Sequence, residues 1–165
     1  LVSSTPSDIA FSVNLMSGLC PALAAMFMCW TTIMFSKLAL YGRSNDDEAS
    51  NDWAILASGL VAGLCTAFAT SIWFSAVEGE VYSMSTMFTC LTLWSAVKWY
   101  YLPDTRQNDR WLIFAMYAAA LSVGVHLLSL LAFPTIALLY YYKRYERHTF
   151  SGFVVTGLIG VASVM

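Results

Sequence analysis

The chain consists mainly of long, continuous apolar runs separated by short polar connections. The clearest runs cover residues 15–35, 53–76 and 81–101, and each provides the about 20 helical residues that cross a hydrocarbon core roughly 30 Å thick. Continuous runs exclude the alternating pattern of a membrane β-barrel. We therefore expect an all-α fold, a polytopic transmembrane helical bundle of five helices and the start of a sixth. The predicted helices lie near residues 10–40, 53–76, 81–101, 111–125, 127–142 and 150–165, within a single domain over 1–165 that we expect to be a fragment of a longer chain.

The stretch from residue 111 to 142 is too long for one span and short for two. It has no formal charge, and it contains His126 and Pro134, the latter predicted to kink its helix. Basic residues concentrate in cytoplasmic loops, and a hairpin turning at His126 would place all eight Lys and Arg residues on one face. We therefore predict the hairpin, with that face cytoplasmic. The eight are Lys37, Arg43, Lys98, Arg106, Arg110, Lys143, Arg144 and Arg147.

The composition strengthens the prediction of a membrane protein. Apolar residues make up 59% of the chain and charged residues 11%, against about 45–50% and about 25% in soluble domains. The face opposite the basic residues holds Asp8, Glu78, Glu80 and the His126 turn, and we expect it to be periplasmic or luminal. The four cysteines lack metal-ligand spacing, so we predict no metal site among the candidate residues, and the sequence leaves any metal requirement open. Phosphate-binding loops, hydrolase motifs and a nucleic-acid surface are also not predicted.

Two groups on the acidic face are candidates for chemistry. Glu78 and Glu80 flank Gly79 in a connection between two spans, where carboxylates often face a cavity or pathway, although an ordinary solvated turn explains them as well. The helices flanking His126 are short for the bilayer, which predicts that this turn lies in a recess. Its imidazole suits proton transfer or phosphate contact, although a hydrogen bond to a neighbouring helix is an equally good explanation.

Three stretches resemble motifs of a known family of polytopic membrane proteins. Residues 73–84, WFSAVEGEVYSM, are similar to its pattern W-S-x-x-V-x-x-E-V-Y-x-[LM]. Residues 124–128, GVHLL, together with Pro134 and residues 140–143, resemble the next motif, and residues 10–17 resemble an earlier helix. The family is abundant in bacteria and long catalogued as a domain of unknown function. Its animal relative is an endoplasmic reticulum protein O-mannosyltransferase.

The resemblance implies a GT-C-type glycosyltransferase that moves a sugar from a polyprenyl-phosphate carrier to an acceptor, such as a protein, on the non-cytoplasmic side. It implies catalytic roles for Glu80 and His126 and substrate-binding roles for Glu78 and Tyr82. The acidic base of this family lies in an external loop that the start of this chain does not match. We therefore expect the base upstream and the chain inactive by itself. We also expect no covalently bound cofactor, and a bacterial inner membrane rather than the endoplasmic reticulum.

The residues also allow other classes of protein. In a transporter or channel subunit, Glu80 and His126 would lie on an ion or proton path. Transporters often contain inverted repeats, and we find no internal repeat in this sequence. A structural subunit without chemistry is a third alternative.

Overall fold

The fold is all-α, as predicted, throughout the ranges that the computed structural model describes, which are residues 5–43, 52–79, 81–145 and 147–162. The described α-helices are α1 (Pro6–Tyr41), α2 (Trp53–Ala67), α3 (Thr70–Val77), α4 (Val81–Tyr101), α5 (Asp109–Val125), α6 (Ala132–Arg144) and α7 (Phe150–Ala162). A 3-10 helix, Leu127–Leu131, lies between α5 and α6.

The prediction of a single helix over 53–76 is wrong, because the structure divides this stretch into α2 and α3 with a bend of 51°. Ala69 has extended backbone, and its N–H donates to the carbonyl of Thr66 at 3.3 Å. The regular i to i−4 pattern is therefore interrupted here, and α3 turns toward the N-terminal half of α1.

The central helix is α4, which packs against α1, α5 and α6. A small apolar cluster joins α4, α5 and α6 through Ala96, Ala115, Ala119 and Ile136. On the other side, α2 lies close to α1 because Gly59 and Gly63 have no side chains. A Cβ added at Gly63 would lie 3.1 Å from the Cβ of Cys29, closer than an ordinary van der Waals contact, so the absence of a side chain lets the two helices approach.

The hairpin predicted at His126 is present, but its second arm differs from the predicted helix over 127–142. Residues Leu127–Leu131 form a 3-10 helix and α6 begins at Ala132. Pro134 therefore lies in the first turn of α6, where the missing N–H of a proline has no intrahelical partner to lose. The predicted kink is replaced by a change of helix type before the proline. On its other face, Pro134 packs closely against Gly160 of α7.

Length and composition single out α1 as able to cross a membrane, and α2 with α3 pass the same test as one bent pair. Among the other described helices, α7 is apolar but shorter. The predicted span α4 does not pass, since serine and threonine residues recur along it. The prediction that the chain crosses a membrane several times therefore stays a prediction.

Candidate functional site

The candidate site lies where α3 and α5 end and α4 begins. We call this the site end and define it by Glu78, Tyr82 and His126. The last turn of α3 leads into Glu78, Tyr82 is the second residue of α4, and His126 follows the last residue of α5. Glu80 lies outside the described residues, so its predicted catalytic role stays a prediction.

A tight turn at Glu78 and Gly79 closes α3. The Glu78 N–H donates to the carbonyl of Phe74 at 3.0 Å, and the Glu78 side chain is exposed. Gly79 has a φ of 66°, a left-handed conformation that favours glycine. The turn lies over α1, since a Cβ at Gly79 would be 3.6 Å from the Asn14 Oδ1. Within the described ranges, no hydrogen bond or ion pair joins Glu78 to the other members of the site end.

The structure brings the side chains of Tyr82 and His126 together. Their ring centroids are 5.1 Å apart, with the planes inclined at 54°. Tyr82 is 47% exposed, whereas His126 is half-buried. The pair therefore presents a phenol and an imidazole side by side, two groups that both donate and accept hydrogen bonds.

The backbone fixes the position of His126 from both sides. Its conformation is extended, with φ −157° and ψ 132°, and this ends α5. The His126 N–H donates to the carbonyl of Ser122 at 2.9 Å, and the His126 carbonyl accepts from the Ser129 N–H at 3.2 Å. The imidazole is thus presented by a hydrogen-bonded turn rather than by an open loop.

Behind this turn lies a group of three buried hydroxyls that we call the serine triad, formed by Ser85, Ser122 and Ser129. The Ser122 hydroxyl donates to the Ser129 Oγ, and the Ser85 and Ser129 Oγ atoms are 3.1 Å apart. Each of these serines is at most 6% exposed. The triad ties α4, α5 and the 3-10 helix together beneath His126.

A second group of hydroxyls lies on the other side of Tyr82. The Ser83 hydroxyl donates to the carbonyl of Ser75 at 2.6 Å, and the Ser83 and Ser17 Oγ atoms are 3.0 Å apart. Residues two apart on a helix point in different directions, so Ser83 and Ser85 reach different neighbours. Neither group was predicted from the sequence. The available signal was the recurrence of serines in apolar helices, where hydroxyls need partners.

The opposite end of the bundle gathers several of the basic residues. We call it the basic end and define it by Arg43, Lys143 and Arg144 with Asp104 and Asp109. An Asp104 carboxylate oxygen lies 3.7, 3.4 and 3.7 Å from nitrogens of Arg43, Lys143 and Arg144, in that order. Arg144 also pairs with Asp109 at 2.8 Å. The structure thus brings together three of the eight basic residues, and a cytoplasmic face shared by all eight stays a prediction.

Lys143 is the most deeply buried member of the basic end, with a side chain only 1% exposed. Its ammonium donates to the carbonyls of Trp99 and Leu102, the latter at 2.9 Å, and lies 4.3 Å from the centroid of the Trp99 ring. Burial lowers the pKa of Lys143, and the carboxylate of Asp104 opposes that shift. These contacts assign Lys143 to the architecture of the bundle.

The chemistry offered by the described side chains is proton transfer and hydrogen bonding. Among the described residues, which do not include Glu80, no three His, Cys, Asp or Glu side chains are grouped as a metal site would require. The cysteines are free thiols, and Cys20 and Cys90 are buried.

Fold and site together define a helical protein with an apolar helix long enough to cross a bilayer and a Tyr–His pair at one end. The chain belongs to the family described as the Protein O-mannosyl-transferase TMEM260 N-terminal domain, whose family model matches residues 1–149. The family resemblance inferred from the sequence motifs is thereby confirmed. One relative, Protein O-mannosyl-transferase tmem260 of Dictyostelium discoideum, is 23% identical over 111 residues. That alignment covers 67% of this chain and 11% of the relative, and no solved structure matches.

Proposed function

We propose that this chain is a membrane-embedded part of a GT-C-type glycosyltransferase, similar to protein O-mannosyl-transferases, that uses a polyprenyl-phosphate sugar as donor and a protein as acceptor. The family match over residues 1–149 supports the class of enzyme. The observation that carries the choice of site is the contact between Tyr82 and His126 at the end opposite the basic residues.

The exposure of α1 supports a membrane location. Only 22% of the most apolar 18-residue stretch of α1 is buried, whereas a core helix of a soluble protein would be mostly buried. Large apolar side chains elsewhere are also exposed, among them Trp53 at 82% and Phe150 at 83%. Surfaces of this kind mark contact with lipid or partners. In our proposal the basic end faces the cytoplasm, and the site end faces the periplasm or lumen.

The proposed transfer is a displacement at C1 of the donor sugar. The acceptor hydroxyl oxygen forms a bond to C1, the bond from C1 to the phosphate oxygen breaks, and its electron pair leaves with the polyprenyl phosphate. The hydroxyl proton passes to a carboxylate that acts as the general base. His126 donates a hydrogen bond to the departing phosphate. Tyr82 and Glu78 contact the sugar or acceptor hydroxyls, and Glu80 completes the site.

The experiment is sugar transfer by the full-length protein carrying single substitutions. For His126→Ala we expect a fall of about 100-fold or more, the usual size of such a contribution, at unchanged expression. His148→Ala is the matched control, because the His148 ring also lies beside a tyrosine, 4.9 Å from Tyr142. It should transfer normally. Glu80→Gln should be as defective as His126→Ala, and Tyr82→Phe, which keeps the ring, should be less defective than Tyr82→Ala.

One outcome would contradict the site assignment, and another would favour a different function. Wild-type transfer by both Glu80→Gln and His126→Ala would contradict the site assignment. Proton flux through reconstituted vesicles that is lost in His126→Ala, with transfer retained, would instead favour the transporter or channel alternative.

A further inference from the structure

An open groove of 310 Å³ runs along the surface between α1 and α4. It is lined by Trp30, Ile33, Met34, Trp94 and Lys98. Apart from the lysine, its lining is entirely apolar or aromatic. The groove is separate from the site end, because Lys98 lies in the last turn of α4 and Tyr82 in the first.

The Lys98 ammonium lies between two indole rings at the rim of this groove. It is 4.8 Å from the centroid of Trp94 and 4.0 Å from that of Trp111. The rings themselves are in contact, edge to face, with centroids 5.5 Å apart. Cation–π contacts of this kind hold the ammonium in place while its N–H groups stay available to an acceptor.

The positive charge of Lys98 differs from those of the basic end in having no counter-ion among the described residues. Within the described part of the chain, no carboxylate oxygen lies within 4.0 Å of its Nζ, whereas Lys143 and Arg144 both meet Asp104. Arg110, which precedes Trp111, adds a second positive charge that is close enough to repel the charge of Lys98. The groove therefore combines an apolar floor with net positive charge at its rim.

We propose that this groove binds an anionic membrane phospholipid, with the headgroup phosphate at Lys98 and one acyl chain along Ile33 and Met34. A phosphate supplies the missing negative charge, and basic pockets between helices at the cytoplasmic side of a membrane bind such headgroups. Tryptophan rings at the same level suit the boundary between headgroups and hydrocarbon. The inference rests on the membrane location proposed above and is independent of the transferase chemistry.

The test uses the purified full-length protein in neutral detergent and compares added phosphatidylglycerol with phosphatidylcholine of the same acyl chains. Since a ligand that binds the folded state raises the Tm, phosphatidylglycerol should raise it by several degrees, and phosphatidylcholine should have little effect. Lys98→Gln should abolish the difference between the two lipids, and Lys98→Arg should restore it. Arg106→Gln, which removes a charge from the exposed loop between α4 and α5, should leave it unchanged.

Three results would overturn the inference. These are an equal shift with both lipids, a phosphatidylglycerol-specific shift that persists in Lys98→Gln, and an equal shift with water-soluble glycerol phosphate, which would indicate an anion site without a lipid chain. The His126→Ala variant separates this inference from the proposed function. It should lose transfer and keep the phosphatidylglycerol-specific shift.

Discussion

The two ends of the bundle are built on different principles. At the basic end, charged side chains contact carboxylates, carbonyls and rings. The single carboxylate of Asp104 lies near Arg43, Lys143 and Arg144. At the site end, Tyr82 and Glu78 are exposed, and support comes from neutral serine hydroxyls buried behind them.

We infer that the basic end mainly supports stability and that the site end mainly supports function. Partners at the basic end hold its charges in fixed positions, which suits a structural role. The hydroxyl groups at the site end fix the backbone around Tyr82 and His126, and Tyr82 is 47% exposed. Active sites generally require such a rigid support behind accessible polar groups.

Removal of Lys143 should have the largest effect on stability, because it disrupts the basic end. Lys143→Met leaves the carbonyls of Trp99 and Leu102 without their charged donor. Hydrogen bonds to charged groups contribute about 1.5–3 kcal/mol, so we expect a loss of about 3 kcal/mol. The measurement is reversible unfolding of the purified protein in micelles. Arg106→Gln, in the exposed loop, should change stability little; a similar loss in both variants would contradict the special role of Lys143.

Breaking the serine triad should have a smaller effect on stability but should reach the site. Ser129→Ala removes the partner shared by Ser85 and Ser122, and a buried hydroxyl left unpaired costs about 1–3 kcal/mol. Because two hydroxyls lose this partner, we expect a loss of about 2 kcal/mol together with reduced transfer in the full-length protein. Ser12→Ala removes only a bond within α1 and should preserve both quantities. Normal transfer by Ser129→Ala would show that the triad does not position His126.

Thr92 offers a change of opposite sign. It is 1% exposed, and its Oγ1 has no hydrogen-bond partner among the described residues. Thr92→Val replaces an unpaired hydroxyl by a methyl group of similar size, so we expect a gain of up to about 1 kcal/mol. Thr31 is the matched control because it is equally buried, at 2%, but donates to the carbonyl of Phe27 at 2.7 Å. Thr31→Val should therefore destabilise, and two changes of the same sign would refute the distinction.

The sequence predicted the all-α class and a turn at His126, because each depends on local hydrophobicity or charge, and three of the eight basic residues predicted to share a face meet at Asp104. It did not predict the break between α2 and α3, where Ala69 has extended backbone and α3 packs against α1. The 3-10 helix before α6 was also missed, since proline alone does not show whether a helix bends or begins.

At the site, the sequence pointed to single residues and not to their arrangement. The glutamates and His126 stood out because charged and titratable groups are rare in this chain. The contact between Tyr82 and His126 depends on how α4 packs against the end of α5. These two positions are far apart in the sequence, as are Ser85 and Ser129 beside them, which are separated by 44 residues. Serines are common in helices of every class, so nothing in the sequence marked those of the triad as partners.

The central claim is that the site end and the basic end lie on opposite sides of a membrane. Glu78→Cys and Arg106→Cys, each made in the full-length protein after replacement of the four native cysteines of this chain, report the two ends separately. In intact cells or sealed vesicles of known orientation, an impermeant thiol reagent should label Glu78→Cys from the non-cytoplasmic side. Arg106→Cys should be labelled from that side only after permeabilisation. Labelling of both positions from the same side would contradict the claim.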